Sequence, residues 1–177
     1  MLIIITLPHF FEGEAEKIAS FLENGTADLI HIRKPEAGEE AVEQLIRLIP
    51  EQYHSRLVLH DHHHLAMKYS LYGVHLNGRN PAAPDDWTGS VSRSCHSLAE
   101  VKEWKDRCRY VSLSPIFDSI SKKGYMSAFS EEEIRQACGD GVIDEKVVAL
   151  GGVTFNNINK VKEMGFGGAM ILGDAWR

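Results

Sequence analysis

Five predicted strands end in side chains that can exchange protons or bind anions. Histidine titrates near neutral pH and suits proton transfer, whereas the planar guanidinium of arginine binds carboxylates and phosphates through two hydrogen bonds. In chain order these side chains are His31 and Arg33, His60 and Asp61, His75 and Asn77, Ser94 and His96, and Ser112 and Ser114. Because parallel α/β barrels form their sites at the carboxyl ends of strands, we predict that these residues line one active site rather than being scattered over the surface.

Glycines follow the last two predicted strands and suggest a phosphate site. Gly151 and Gly152 lie in the segment VVALGGV (147–153), and Leu172 and Gly173 end GGAMILG. Glycine lets backbone N–H groups approach an anion closely, and the loops after the seventh and eighth strands are the usual phosphate site of barrels. We therefore predict that these four residues bind phosphate. The alternative is that the glycines only permit tight turns.

A polar loop follows the sixth predicted strand and contains Ser119, Ser121 and Lys122. Such a loop could fold over a phosphorylated ligand, with Lys122 as a point charge. We predict these residues as substrate-binding, and the alternative is a solvated loop.

The stretch HDHHH at positions 60–64 contains residue types that bind metal ions. Neighbouring residues of a strand point in opposite directions, so the whole run cannot face one ion. We predict that one or two of these residues face the site, led by Asp61. The remaining histidines are expected to be solvated or to begin the next helix, and a transition-metal centre is the minor alternative.

The elements that must position these residues alternate between short apolar runs and amphipathic stretches. The predicted strands are Leu2–Leu7, Asp28–Lys34, Leu57–Asp61, Gly73–Asn77, Ser90–His96, Tyr110–Phe117, Lys146–Gly151 and Gly168–Leu172. The predicted helices are Glu12–Glu23, Glu39–Ile49, Ser97–Arg107, one that begins at Ser130 and one that begins near 155–157. Parallel strands need such crossover connections.

This alternation predicts an α/β fold, a (βα)8 TIM-type barrel formed by residues 1–177 as a single domain. The segment after Asn77 contains Pro81, Pro84 and Gly89, so we expect it to be irregular. The chain stops at Arg177, where a last helix would begin. We therefore expect the closing helix to be missing, or its place to be covered by another chain.

Charge and cysteine content exclude several classes of protein. A net charge of −6 argues against a general nucleic-acid binder, which needs a basic excess. The three cysteines form no CxxC pair, and this pattern favours a reducing compartment. The opening MLIIITLP is too short to span a membrane and lacks the features of a secretory signal. We predict a cytoplasmic protein without a membrane partner.

Segments along nearly the whole chain resemble the thiamin-phosphate synthases and the related thiazole tautomerases. The matching segments occur in family order and are HIRKP (31–35), LHDHHHLA (59–66), GVHLN (73–77), SRSCHSLAEV (92–101), YVSLSPIFDSISKKG (110–124) and VVALGGV (147–153). The resemblance implies a (βα)8 barrel, in agreement with the strand count. It also implies a thiazole phosphate as ligand.

The sequence departs from the synthase pattern where the second substrate and its metal are expected. Synthases have a Gln-x-Arg-x-Lys pattern where this chain has His31, Arg33 and Pro35, although Lys34 lies next to the last position. Their Asn-Asp pair is represented by His60-Asp61, and Asn80 stands near the place of a second aspartate. A magnesium pyrophosphate complex needs hard carboxylate oxygens and cations, so these losses weaken the synthase assignment.

The same departures favour the tautomerase branch, whose reaction moves a proton and needs no cofactor. His96 matches the proton-shuttling histidine of the tautomerases, so we predict it as the catalytic residue; the alternative is that it only precedes the helix at Ser97. His31, Arg33 and His75 are expected to orient the substrate. Arg33 would do so by binding the carboxylate of the substrate with its guanidinium. The full set predicted as substrate-binding is His31, Arg33, Lys34, Asp61, His75, Ser94, Ser119, Ser121 and Lys122.

Two other functions remain open on the sequence. The first is a Mg²⁺-dependent thiamin-phosphate synthase that joins hydroxymethylpyrimidine pyrophosphate to thiazole phosphate, with Asp61 as a metal ligand. The second is a non-catalytic protein that binds thiazole phosphate and regulates the pathway. In every case the resemblance implies a small phosphorylated metabolite as partner, and family members are often homo-oligomers.

Overall fold

The computed structural model describes residues 1–118 and 128–177 of the chain. Its strands are β1 (Leu2–Ile5), β2 (Leu29–Ile32), β3 (Leu57–Leu59), β4 (Gly73–Leu76), β5 (Ser90–Cys95), β6 (Tyr110–Leu113), β7 (Val147–Ala149) and β8 (Gly168–Ile171). Its α-helices are α1 (Glu14–Glu23), α2 (Glu39–Leu48), α3 (His64–Lys68), α4 (Leu98–Trp104), α5 (Glu131–Gly139) and α6 (Ile158–Glu163). Short 3-10 helices cover Glu51–Arg56, Lys105–Arg107 and Gly173–Trp176.

The strand order runs from β1 to β8 in a closed parallel barrel, which confirms the predicted α/β fold class. Clustering of contacts divides the chain into two compact units. The first, called here the N-terminal unit, is Ile3–Val91, and the second, the C-terminal unit, is Ser92–Arg177 together with Met1 and Leu2. No helix among the described residues is long and apolar enough to cross a membrane.

The N-terminal unit pairs β1 to β4 in sequence order and in parallel. Its register places His31 of β2 opposite Val58 of β3, and Leu59 of β3 opposite Val74 of β4. The apolar faces predicted for the first two helices are buried, because α1 and α2 each bring apolar side chains onto the sheet at helical spacing. These side chains are Ile18, Phe21 and Leu22 from α1, and Val42, Leu45 and Ile46 from α2.

The C-terminal unit pairs β5 to β8 in the same way. Ser94 of β5 lies opposite Ser112 of β6, and Ala149 of β7 lies opposite Ala169 of β8. The serines at the two predicted helix starts act as caps: Ser97 Oγ accepts a hydrogen bond from Glu100 N, and Ser130 forms a reciprocal capping box with Glu133 at the start of α5. These caps satisfy N–H groups that have no partner within the helix.

All eight predicted strands are present, but each is shorter than predicted at its carboxyl end. Strand β6 ends at Leu113 because Pro115 has no N–H with which to continue the ladder. Strand β7 ends at Ala149 because Gly151 and Gly152 turn the chain with φ angles of 92° and 64°. The segment between β4 and β5 contains turns and no helix, as predicted. Those predicted catalytic and binding residues that the structure describes therefore lie at strand ends or just beyond them.

Candidate active site

In the C-terminal unit, His96 follows β5 and its imidazole is exposed. Its Nδ1 atom lies 3.2 Å from Ser114 Oγ and 3.4 Å from the backbone oxygen of Ser114, just after β6. The backbone N–H of His96 donates to Glu100 Oε2, so the first turn of α4 fixes the main chain at this position. The ring is thus oriented through Nδ1, which leaves Nε2 as the nitrogen that can exchange a proton with a substrate.

Ser94 and Ser112 lie opposite each other in the β5–β6 ladder. Ser112 is fully buried, and its Oγ atom has no hydrogen-bond partner among the described residues. Ser94 is half-buried. The predicted contact between Ser94 and a substrate stays a prediction.

The turn after β7 has the close backbone approach that the glycine pair predicts. A Cβ atom on Gly151 would lie 2.7 Å from Pro115 Cα, and one on Gly152 would lie 2.4 Å from the backbone oxygen of Asp118. The turn is tied to the segment after β6, since the N–H of Phe117 donates to the oxygen of Gly151. Within residues 1–118 and 128–177, no hydrogen bond occupies the N–H of Gly151 or Gly152. As far as the described residues extend, these two donors are therefore available to an anion.

The turn after β8 is joined to the turn after β7 by one hydrogen bond. The N–H of Phe155 donates to Asp174 Oδ2 at 3.0 Å. Leu172 is half-buried and Gly173 is exposed, and a Cβ atom on Gly173 would meet nothing within 4 Å. The predicted phosphate contacts of Leu172 and Gly173 stay predictions, whereas Ser119, Ser121 and Lys122 lie outside the described residues.

In the N-terminal unit, three histidines come together at the ends of β2, β3 and β4. His31, His60 and His75 are all buried, and one nitrogen of each lies within 4.8 Å of the others. His31 Nδ1 is 2.9 Å from His60 Nε2, and the rings of His60 and His75 are stacked with their centroids 4.2 Å apart. His60, which the sequence predicts at the end of the third strand among the residues lining a site, has its imidazole packed against both other histidines.

Burial keeps two of these imidazoles neutral. Loss of solvation lowers the pKa of His31 well below 6.5, and a positive charge on His75 would lower it further. Loss of solvation likewise lowers the pKa of His60, with further lowering by the charges of His75, His31 and Arg33. Neutral imidazoles can accept a hydrogen bond or bind a metal ion through an unprotonated nitrogen.

Arg33 and Arg79 are both electrostatically coupled to Asp61. Burial and the charge of Arg79 lower the pKa of Arg33, while Asp61 opposes this effect. Asp61 Oδ1 accepts hydrogen bonds from Arg79 Nη2 at 3.1 Å and from Asn80 Nδ2 at 2.8 Å. The Arg33 guanidinium makes no hydrogen bond within the described part of the chain. Among the described residues it is thus available to an anionic ligand, and the predicted contact of Arg33 with a substrate stays a prediction.

Lys34 does not have the predicted role in substrate binding. Its ammonium donates to both carboxylate oxygens of Glu14, at 2.6 and 2.8 Å, and to the backbone oxygens of Leu7 and His9. The side chain is fully buried, and its nitrogen lies 4.5 Å from the centre of the Phe10 ring. Because all three ammonium hydrogens are used inside the protein, Lys34 stabilises the loop after β1 instead of contacting a substrate.

Magnesium, which the family resemblance implies for the synthase reaction, requires several oxygen ligands. The Asp61 carboxylate is already paired with Arg79 and Asn80, and Asp85 and Asp86 are exposed on the irregular segment before β5. Among the described residues, the one group with metal-binding potential consists of histidines rather than carboxylates. The side chains at Asp61 therefore do not fit a magnesium site.

One contact in the N-terminal unit escapes prediction from sequence, and a second is predictable only in part. Arg79 lies beyond the predicted fourth strand, and nothing in the segment LNGRNP indicates its ion pair with Asp61. His60 is predictable in principle, because residues two apart share a face and His60 follows Val58, the partner of His31. Its pairing with His75 depends on the strand register, which the sequence does not reveal.

Comparisons with known proteins agree with the fold and the resemblance. A family model described as "Thiamine monophosphate synthase" matches residues 2–173. The thiamine-phosphate synthase of Photorhabdus laumondii is 27% identical over 164 residues, covering 88% of this chain and 75% of that protein. A solved structure of a thiamine phosphate pyrophosphorylase from Bacteroides thetaiotaomicron is 45% identical in sequence. The match covers 99% of this chain and 84% of that protein, with a TM-score of 0.89. A pyrophosphorylase from Pyrococcus furiosus at 22% identity and a TM-score of 0.72 shows the same fold.

Proposed function

The chain belongs to the thiamine monophosphate synthase family, and from this premise we propose that it is an enzyme of thiamin biosynthesis that acts on thiazole phosphate. The observation that carries the proposal is the turn after β7, where the N–H groups of Gly151 and Gly152 are available among the described residues. A cytoplasmic location and a homo-oligomeric state remain part of the proposal.

The phosphate of the ligand is proposed to bind to the main chain of this turn. Both glycines have positive φ angles, a backbone conformation that other residues rarely adopt. This conformation sets the orientation of their two consecutive N–H groups. Consecutive backbone N–H groups in such turns form concave anion sites. The neighbouring backbone of Pro115 and Asp118 leaves no space for a side chain at either position.

The names of the relatives favour condensation of thiazole phosphate with a pyrimidine pyrophosphate over the tautomerase reaction that the sequence predicts first. Condensation is therefore the first activity to measure. In the N-terminal unit, Arg33 and Arg79 are the cations suited to a pyrophosphate, because guanidinium groups bind phosphate oxygens through two hydrogen bonds. We assign no step to magnesium, since the residues around Asp61 do not fit it.

The second candidate is the tautomerase reaction, and the pairing of His96 with Ser114 favours it. Aromatising a carboxylated thiazole phosphate requires one group that removes a proton and returns it at another position. An exposed imidazole oriented through Nδ1 is suited to this task through Nε2. The reaction also does not need a second carboxylate at the position where this sequence has Asn80.

Two assays on the same purified protein separate the candidates. The first supplies the unaromatised thiazole carboxylate phosphate and follows aromatisation, and the second supplies thiazole phosphate with the pyrimidine pyrophosphate and follows pyrophosphate release. The tautomerase assignment predicts that His96→Gln lowers aromatisation by about 10²–10⁴-fold, whereas the exposed-histidine control His64→Asn has no effect. The synthase assignment predicts that the wild-type protein releases pyrophosphate and that the Arg33→Ala variant does not. Tight binding of thiazole phosphate with turnover in neither assay would instead indicate the regulatory binding protein.

A further inference from the structure

The three histidines of the N-terminal unit are placed as the ligands of a metal ion are placed. One nitrogen from each of His31, His60 and His75 lies within 4.8 Å of the others. Tetrahedral Zn²⁺ with Zn–N bonds of about 2.0–2.1 Å holds its nitrogens about 3.4 Å apart, so no separation within the 4.8 Å limit needs to close by more than about 1.4 Å. Small ring rotations supply such a shift.

The chemical state of the rings also suits a metal ion. Burial keeps His31 and His60 neutral, and the neutral imidazole is the form that binds metals. The hydrogen between His31 Nδ1 and His60 Nε2 belongs to one neutral ring. Binding of an ion requires that this hydrogen moves to the other nitrogen of that ring, which changes the tautomer but not the charge.

The backbone around the three rings is held firmly. The oxygen of His60 accepts hydrogen bonds from Asn77 Nδ2 at 3.0 Å and Asn80 Nδ2 at 2.9 Å, and the oxygen of His31 accepts one from the N–H of Thr6. His31 and His75 lie within β2 and β4. Sites on strands are held more precisely than sites on loops.

We propose that His31, His60 and His75 form a binding site for one divalent transition-metal ion of the Zn²⁺ class. Three imidazoles leave the fourth tetrahedral position to a water molecule or to an anionic oxygen of a ligand, as in catalytic zinc sites. Imidazole nitrogen favours Zn²⁺, Co²⁺ or Ni²⁺ over Mg²⁺. The positive charge of Arg33 acts on His60 and repels any cation placed there. An ion held by electrostatic attraction alone is therefore disfavoured compared with one that forms bonds to the imidazole nitrogens.

Metal binding is measured without substrate, so its outcome is independent of the enzymatic reaction. Chelator-treated protein is titrated with Co²⁺, whose visible absorption reports nitrogen ligands, and the stoichiometry is determined by elemental analysis. We expect one ion per chain. The variants His31→Gln and His60→Asn introduce the residue types of the synthase pattern, so the fold should tolerate them. Each should weaken binding by at least about 100-fold, since even partners of metal ligands contribute 10–100-fold.

The matched control is His64→Asn, which changes an exposed histidine of the same HDHHH stretch and should leave binding unchanged. Melting curves without metal verify that each variant is folded. The proposal is overturned if the wild-type protein binds no Co²⁺ or Zn²⁺ at about 1 mM ion, a result that requires no variant. It is also overturned if folded His31→Gln and His60→Asn bind the ion as tightly as the wild-type protein.

Discussion

His31 Nδ1 lies 2.9 Å from His60 Nε2, in a part of the protein where both rings are buried. Two imidazoles at this separation share one hydrogen and cannot both be protonated without strong repulsion. Protonation of these two imidazoles is therefore linked to folding of the protein.

We expect the protein to lose stability as the pH falls below about 6.5. The folded-state pKa values of His31 and His60 are lowered, so stability is full above the unfolded-state pKa and decreases below it, where only the unfolded chain takes up protons. The expected slope is up to about 2.7 kcal/mol per pH unit for the pair. Urea denaturation of the metal-free protein between pH 7.5 and about 5 measures it. The doubly substituted His31→Gln, His60→Asn protein should lack most of the slope, and an unchanged slope would contradict the assignment.

We expect Lys34→Met to destabilise the protein without changing substrate affinity. The substitution leaves the buried carboxylate of Glu14 without its partner, which typically costs about 3–5 kcal/mol. The matched control is Lys68→Met at the exposed pair with Glu43, where the expected loss is much smaller because solvent screens the two charges. Urea denaturation gives the stability, and the KM of the folded variant tests the structural role. A raised KM with unchanged stability would restore the role in substrate binding.

We expect Gly152→Ala to destabilise the turn after β7 and to weaken phosphate binding. Its Cβ atom would lie 2.4 Å from the backbone oxygen of Asp118, and a positive φ adds about 1–2 kcal/mol. Gly173→Ser is the control, since a Cβ atom there meets nothing within 4 Å, and its effect on stability should stay within about 0.5 kcal/mol. Thermal melting with and without thiazole phosphate measures both effects. Equal stabilisation of wild type and Gly152→Ala by the ligand would argue against this phosphate site.

We expect Ser114→Ala to lower the turnover of the tautomerase reaction more than it changes KM. Ser114 Oγ lies 3.2 Å from His96 Nδ1, so the substitution removes one contact that orients the ring, while the backbone oxygen of Ser114 remains. Loss of one such hydrogen bond, worth about 1 kcal/mol, corresponds to a decrease in kcat of roughly fivefold. Steady-state kinetics over a range of pH measures it. A change confined to KM would indicate that Ser114 contacts the substrate instead.

Much of the fold is predictable from the sequence because local patterns and tertiary structure agree. Each strand is a short apolar run, and Ser97 and Ser130 stand at the first turns of α4 and α5, where their side chains satisfy N–H groups. The strand ends are less predictable. The runs that predict β6 and β7 continue past Leu113 and Ala149, where these strands end close to Pro115 and Gly151.

The sequence predicts where the residues of the candidate site lie in the fold, but it predicts only some of their contacts. The ends of β2, β4 and β5 place His31, His75 and His96 where the sequence predicts polar side chains. Lys34 shows the limit of this reasoning, because only the folded loop after β1 reveals that Glu14 takes up its ammonium. A charged residue next to a site can be bound within the protein, and no local pattern indicates which partner it has.

The hydrogen bond from Phe155 N to Asp174 Oδ2 means that the protein supplies a negative charge of its own beside the turn proposed to hold the ligand. The same carboxylate lies 3.8 Å from Arg177 Nη1, which offsets part of its charge, and at the proposed site it would still repel an ester that the glycine amides attract. A phosphate that carries one proton is repelled less than the fully ionised form. Affinity for the ester is therefore set partly by its second ionisation near pH 6, and exchange of Asp174 for asparagine would relieve the competition.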